Sequence, residues 1–300
     1  MKQGQTFLGI RAICILMLFA FVLPTAGPVL SADFSEVEKI LGVSGQRQEG
    51  VTVFSFPRHD LNIKIGGDSV PIAIGFGSWT GWKKIGGEAM VMGDLVLLQK
   101  EINPVISALA EANVSVTALH NHFLGENPRI MYMHIYGMGQ ASPMAIGIRN
   151  ALNQTGTPRP GPTTGGTSPP TMTLDTKRLE QIIGHPGKVG GGVLKIIIGR
   201  PGVKMDGIEM NASMGLNTWA AFAGTNERAH VAGDVAMTAK EVNPVIRALR
   251  RGGIEITAVH NHMLNEEPRI FFLHYWGTGP AEKLAGNVRE AFDQAKGPAR

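Results

Sequence analysis

Apolar and polar residues alternate along several short stretches of the chain, which is the pattern of strands with one buried face. It predicts strands over 51–54, 61–65, 70–74, 89–98, 114–122 and 129–136. After Asn103-Pro104, apolar residues recur at helical spacing up to Asn113, and the same spacing returns over 144–152. Several strands followed by helix, strand, strand and helix predict an α+β unit with a mainly antiparallel sheet.

The chain contains this unit twice, in a constant register that matches Lys100 with Lys240 and His120 with His260. Of the 57 positions in 100–156, 26 are identical to their counterparts in 240–296. The first repeat is predicted over 33–153 and the second over 174–296, joined by a linker over 154–173 that is rich in Pro, Gly and Thr. We expect the two repeats to pack face to face across a pseudo-twofold axis.

The segment 1–32 forms a predicted secretory signal peptide. Lys2 and Arg11 precede an apolar run from Ile13 to Leu23, and Ser31-Ala32 offers a small-residue cleavage point. The run is too short to span a bilayer comfortably, so no stable membrane span is expected after cleavage. The predicted location is therefore periplasmic or secreted. Cys14 is the single cysteine, and it lies inside the leader, which excludes disulfides and thiol catalysis in the mature chain.

The net charge of +4 adds little to this picture. Without the leader the chain has 26 basic and 24 acidic side chains. That balance gives no excess of positive charge for binding nucleic acid, which we do not expect as a partner.

Histidines are concentrated at matching positions of the two repeats. Six of the nine histidines form two trios, which are His120, His122 and His134, and His260, His262 and His274. Strict alternation places His120 and His122 at the end of the row Val114, Val116 and Ala118, so they face the core. In a hairpin, His134 would stand across from His120.

Each trio is accompanied by a glutamate in the intervening loop, Glu126 or Glu266. Imidazole nitrogens and a carboxylate suit a divalent transition metal such as zinc, manganese, iron or copper. The hypothesis is one ion in each repeat, bound by neutral histidines, with binding that weakens as pH falls through about 6.5. The competing interpretation is that the histidines only hydrogen-bond within a polar part of the core.

Arg129 and Arg269 lie beside the two predicted sites. Either arginine could bind the carboxylate or phosphate of a small anionic substrate. The alternative is a structural ion pair with Asp94 or Asp234, which we favour because both repeats keep both partners.

Linked motifs of the first repeat resemble the LppY/LpqO family. They are Gly93-Asp94-Leu95-Val96-Leu97, Glu101-Ile102-Asn103-Pro104-Val105 and Thr117-Ala118-Leu119-His120-Asn121-His122, with Pro128-Arg129 and His134. The resemblance implies an exported bacterial domain in two copies, and it implies no reaction. Lipid attachment is not expected, because no cysteine follows the apolar run of the leader.

Three functions remain open from the sequence. The leading hypothesis is an exported metal-binding protein, with the two histidine trios and their glutamates as ligands. A metal-dependent enzyme, a hydrolase or oxygenase acting on a small anionic substrate, is the first alternative. A structural envelope module whose histidines bind no metal is the second.

Overall fold

The computed structural model describes Met1 and residues 34–157 and 172–295. The predicted signal peptide, Met1 apart, and most of the predicted linker lie outside the described residues. Within the described ranges, no helix is both long and apolar enough to cross a membrane.

The described part of each repeat contains nine strands and three α-helices. The first consists of α1 (Ser35–Leu41), β1 (Gln46–Gln48), β2 (Val51–Pro57), β3 (Lys64–Ile65), β4 (Asp68–Ser69), β5 (Gly77–Ile85), β6 (Glu88–Leu98), α2 (Ile102–Glu111), β7 (Ser115–His120), β8 (Glu126–Asn127), β9 (Ile130–Gly139) and α3 (Ala141–Leu152). The second consists of α4 (Thr176–Ile183), β10 (Gly187–Gly190), β11 (Val193–Gly199), β12 (Lys204–Met205), β13 (Ile208–Glu209), β14 (Asn217–Gly224), β15 (Ala229–Met237), α5 (Ala239–Arg251), β16 (Glu255–His260), β17 (Glu266–Glu267), β18 (Phe271–Gly279) and α6 (Ala281–Phe292).

Six strands of each repeat form one antiparallel sheet. The strand order is β1-β2-β5-β6-β9-β7 in the first repeat and β10-β11-β14-β15-β18-β16 in the second. Two small sheets, β4-β3-β8 and β13-β12-β17, flank them. This confirms the predicted α+β class with two homologous, mainly antiparallel repeats.

The two faces of each large sheet have different neighbours. On β6, Leu95 and Leu97 pack with helix residues such as Leu109 and Ile148. The opposite face packs on the other repeat, where Val96 belongs to one buried cluster with Ala221, Ala232 and Trp276. The layers therefore run helices, sheet, sheet, helices, and polar side chains between the sheets are enclosed by both repeats.

Reciprocal hydrogen bonds join the repeats across the pseudo-twofold axis. Thr117 Oγ1 donates to the His262 carbonyl at 2.5 Å, and Thr257 Oγ1 donates to the His122 carbonyl at 2.6 Å. Such an exchange of equivalent contacts is the signature of an isologous interface. The expected face-to-face packing is thus confirmed.

Several local predictions were wrong. Strand β5 was not predicted, although its two-residue turn Gly86-Gly87 into β6 is a hairpin signal, and Gly86 has φ +60°. Residues 72–74 form a 3-10 turn after Pro71 instead of a strand, and only Lys64–Ile65 of 61–65 pair in a sheet. Helix α2 begins at Ile102, and the side chain of Glu101 accepts the Leu98 amide at 2.8 Å.

Candidate metal centre

Strand register brings an aspartate beside a histidine in each repeat. Asp94 on β6 pairs directly with His134 on β9, and Asp234 on β15 pairs with His274 on β18. Paired residues point to the same face of a sheet, so each carboxyl lies beside its imidazole. Both aspartates are buried between the sheets, and Asp234 is only 1% exposed.

A β-bulge determines which residues of β7 accompany the histidines. The register shifts between Val116 and Ala118, and the matching shift in β16 lies between Ile256 and Ala258. Val116 therefore packs toward the helices, whereas Ala118 pairs with His134 on the face between the sheets. The prediction that Val114 and Val116 share a face with His120 was wrong because this extra residue inverts the alternation. His134 consequently stands across from Ala118, and its ring lies 4.9 Å from that of His120.

The two histidine trios meet in one place. Three pairs of rings face each other across the axis: His120 and His260 at 3.6 Å, His122 and His274 at 3.6 Å, and His134 and His262 at 3.9 Å between centroids. We call these six histidines, together with Asp94 and Asp234, the histidine centre. Because each pair joins both repeats, the centre belongs to the interface and not to either repeat alone.

The Nε2 atoms of all six histidines are buried and lack a hydrogen-bond partner in the described residues. The other ring nitrogen is held by main-chain oxygen in several of them. Nδ1 lies 3.2 Å from the Asn121 carbonyl in His120, 3.2 Å from the Gly215 carbonyl in His262, and 3.1 Å from the Gly233 carbonyl in His274. A carbonyl only accepts, so these contacts favour the tautomer in which Nδ1 carries the proton and Nε2 presents its lone pair.

Groups of these atoms are close enough to share an ion. The ligand atoms of Asp234, His260, His262 and His274 all lie within 4.8 Å of one another. Two further groups draw on both repeats, namely His120 with His134 and His260, and His120 with His122 and His274. Three imidazoles and one carboxylate are a common ligand set for zinc and related metals.

The surroundings disfavour the charged form of four of these histidines. Burial lowers the pKa of His120 to about 2, and the neighbouring histidines add to the effect. Burial first, and then the nearby imidazoles, also lowers the pKa of His122, His134 and His260 well below its ordinary value. Neutral imidazole is the form that binds metals.

The two aspartates differ although their positions are equivalent. Burial raises the pKa of Asp94, and repulsion from Asp234 raises it further. Burial also acts to raise the pKa of Asp234, but His274 and His262 outweigh it and lower that pKa. Its carboxylate lies 3.3 Å from His262 Nε2, whereas Asp94 lies 3.6 Å from His122 Nε2. Asp234 is therefore the carboxylate that carries the charge in the centre.

The predicted glutamate ligands lie elsewhere. Glu126 Oε1 accepts the Ile130 amide at 3.2 Å, and Glu266 Oε1 accepts the Ile270 amide at 3.1 Å. Neither glutamate belongs to the groups of close ligand atoms found in the described residues. Their side chains brace the hairpin loops, and aspartates take the place by the histidines that the sequence suggested for glutamates.

Arg129 and Arg269 also have partners other than those expected. Arg129 Nη1 lies 3.2 Å from Glu126, and Arg269 Nη1 lies 3.3 Å from Glu266. The preferred pairing of these arginines with Asp94 and Asp234 was therefore wrong. Register explains the difference, because each aspartate faces a histidine on the neighbouring strand, while each arginine lies close after its own loop glutamate in the chain.

A cavity of about 620 Å³ reaches the centre from between the sheets. Its lining includes both aspartates and four of the histidines, which are His122, His134, His262 and His274. Trp79 and Trp219 also line it. Trp79 crosses to the second repeat, where a Cβ on Gly215 would lie 2.9 Å from its ring, and Gly215 has φ +83°. A small residue is thus required where the tryptophan passes.

Lys195 is the one lysine that the described residues contribute to this lining, and it breaks the pseudo-symmetry. It lies opposite Ala221, whereas the equivalent pair in the first repeat is Val53 and Gly81. Its ammonium lies 4.3 Å from the centre of the Trp219 ring. Burial lowers the pKa of Lys195 to about 8, against the opposing effect of Asp94 and Asp234, so it remains mostly charged at neutral pH.

Sequence reasoning missed Asp94, Asp234 and Lys195 as site residues. The aspartates could have been found from the internal repeat together with the antiparallel pairing of β6 and β9. Lys195 carries no repeat signal, because the first repeat has Val53 there.

Comparison with known proteins identifies a family but no function. No curated protein sequence matches the chain. Among solved structures, the trimeric bacterial microcompartment shell protein PduB is 13% identical with a TM-score of 0.21, over 82% of this chain and 89% of that chain. EtuB from Clostridium kluyveri is 10% identical with a TM-score of 0.20, over 83% of this chain and 88% of that chain. These scores support no inference.

A family model described as a domain of unknown function (DUF1259) matches residues 35–154 and again residues 177–294. The two matches cover most of the chain, and each falls on one repeat of the structure. The chain therefore belongs to the DUF1259 family, as two tandem copies of its domain.

Proposed function

We propose that the protein binds a divalent transition metal in the histidine centre, with Asp234, His260, His262 and His274 as the first ligand set. The observation that carries the proposal is the convergence of six buried Nε2 atoms that lack hydrogen-bond partners among the described residues. Leaving one buried polar atom unsatisfied costs about 1–3 kcal/mol. A cluster of six is far more stable when a cation binds the lone pairs.

The main-chain contacts of the rings support the same proposal. A carbonyl that accepts from Nδ1–H orients an imidazole and fixes the tautomer in which Nε2 binds metal. His262 and His274 of the first ligand set both have this contact. The cavity beside them leaves room for water or a small ligand at an open coordination position, as in catalytic zinc sites.

The shared histidines favour one joint centre over an independent ion in each repeat. His120 belongs to two of the close groups, and each of these groups includes a histidine of the second repeat. Loss of His120 should therefore weaken binding throughout the centre. Independent sites would instead lose only the ion of the first repeat.

The test is the metal content per chain of protein purified without an affinity tag or chelator. We expect one or two equivalents in the wild type, background in His262→Ala with His274→Ala, and no change in His185→Ala, which alters an exposed histidine. Folding of each variant is checked by circular dichroism. Wild-type protein without metal, and without uptake on titration with zinc, manganese, iron or copper, would overturn the proposal.

We further propose that binding takes place outside the cytoplasm. The support is the charged start, short apolar run and small-residue exit of the segment 1–32. The resemblance to the exported LppY/LpqO family is consistent with this location.

A further inference from the structure

We infer that the cavity beside the histidine centre binds a small organic carboxylate, with Lys195 as the residue that binds its anionic group. The inference rests on the proposed metal centre for its setting, and it names the class of ligand that such a centre would take. It also replaces Arg129 and Arg269, which the sequence suggested for this role.

Lys195 lies between the inner cavity and the surface on one side of the molecule. It lines both the inner cavity and an outer cleft of about 850 Å³, so it stands at the junction of the two. The outer cleft is lined by Lys83, Lys188, Lys195 and Arg200 against Glu49 and Glu209, and Arg200 is already paired with Glu241 at 2.7 Å, which leaves three basic side chains against two acidic ones. Such a balance favours the entry of anions.

The ammonium of Lys195 lacks a close counter-charge. Among the described residues no carboxylate lies within 4.0 Å of it, and its close neighbour is the face of Trp219. Asp94 and Asp234 are the acids that face the same cavity. When Asp234 binds a metal, its charge is directed to that ion, and the half-buried Lys195 ammonium is left without a close counter-charge. A bound anion would supply the missing charge.

The remaining walls suit an organic ligand. Trp79 and Trp219 offer aromatic faces, and Ile72, Ala73 and Ile197 add apolar surface. Charged groups are few and lie at the lysine and at the centre, which is the usual composition of a small-molecule site. A carboxylate with a planar or apolar body matches this division of the surface.

One residue that differs between the repeats predicts which end of the cavity binds the carboxylate. Lys195 on β11 corresponds to Val53 on β2, and both residues line the cavity. One end is therefore cationic and the other apolar, although the histidines between them are nearly symmetric. The carboxylate is expected at the β11 end.

Calorimetric titration with benzoate and with the neutral analogue benzamide tests the inference, on samples whose metal content has been measured. We expect Lys195→Met to bind benzoate at least tenfold more weakly than wild type and benzamide equally well. Lys195→Arg keeps the charge and should stay within about threefold of wild type. Lys177→Met, an exposed lysine on α4 outside the cavity lining, is the matched control and should not change benzoate binding.

Equal benzoate affinity in wild type and Lys195→Met would overturn the inference, as would wild-type protein that binds neither benzoate nor acetate. The two proposals fail separately. Protein that holds no metal but binds benzoate through Lys195 would overturn the metal centre and support the anion site. Protein that holds metal but binds benzoate without regard to Lys195 would do the reverse.

Discussion

Two aspartates at equivalent positions have unequal electrostatic roles at the centre of this molecule. Asp234 accepts the Leu273 amide at 3.1 Å and lies near two imidazoles, whereas one oxygen of Asp94 is buried without a partner among the described residues. Two carboxylates that face one cavity do not both ionise easily, so the better-supported one keeps the charge. Two aspartates at equivalent positions of the repeats can therefore carry different charges.

This difference leads to a prediction for single ligands. Asp234→Asn removes the carboxylate of the first ligand set, and we expect metal affinity to fall by at least about 10- to 100-fold, which is the loss expected when only a residue that supports a ligand is removed. Asp94→Asn should have a much smaller effect, because the Asp94 carboxyl is already the more protonated of the two. Competition with a chromogenic chelator measures both affinities. Equal losses in the two variants would contradict the unequal roles.

At the scale of elements, the hairpin tips hold the repeats together. The tip after β7 reaches β16, where Asn121 Nδ2 donates to the Thr257 carbonyl at 2.9 Å, and Asn261 makes the equivalent bond to the Thr117 carbonyl. In the opposite direction, the Thr257 hydroxyl donates to the His122 carbonyl and the Thr117 hydroxyl donates to the His262 carbonyl. These bonds fix the backbone from which the histidines project.

We therefore expect Thr257→Val to lower the free energy of unfolding by about 1–3 kcal/mol, because the buried His122 carbonyl would lose its donor. Urea denaturation of the metal-free protein measures the loss. Thr173→Val makes the same chemical change at an exposed position and serves as the control. A loss no larger than that of the control would show that the crossed bonds contribute little.

Elements with a strong periodic signal were predictable, and their exact geometry was not. The alternation at Ile130, Tyr132 and His134 correctly indicated one face of β9, because regular pairing continues along the strand. The neighbouring β7 was misread because a bulge leaves no mark in the hydrophobic pattern. Only part of the site could be predicted from the sequence. Its histidines repeat in the sequence, whereas the choice of aspartate over glutamate depends on which strands become neighbours.

At the scale of the whole molecule, the interface between the repeats is where buried polar groups are concentrated. Burial lowers the pKa of His122, His134 and His260 well below its ordinary value, so the folded protein keeps them neutral well below pH 6.5. The sequence-based expectation that metal binding weakens as pH falls through about 6.5 applies to exposed histidines. Here we expect the folded protein to retain metal to lower pH.

The same burial makes the metal-free protein sensitive to acid. Below about pH 6.5 the unfolded chain binds protons that the folded state excludes, so stability falls as pH falls, by up to about 1.4 kcal/mol per pH unit for each such histidine. The raised pKa of Asp94 has the opposite effect on stability, because its folded form holds a proton that the unfolded chain releases, but it is only one group. Urea denaturation at pH 7.5, 6.5 and 5.5 should show the decline, and His134→Gln should make it shallower. His185→Gln should leave the slope unchanged, and a wild-type slope near zero would contradict the expectation.

Because the two repeats belong to one chain, equivalent positions in them can hold different residues. In a homodimer of single-domain subunits, every substitution appears twice, once on each side of the axis. A lysine introduced at the cavity would then bring two ammonium groups into one enclosed space, with mutual repulsion. Joining the copies in one chain removes that constraint, so Lys195 can stand opposite Val53. Fusion of the copies would thus let an almost symmetric centre bind the ligand with two different ends that we propose.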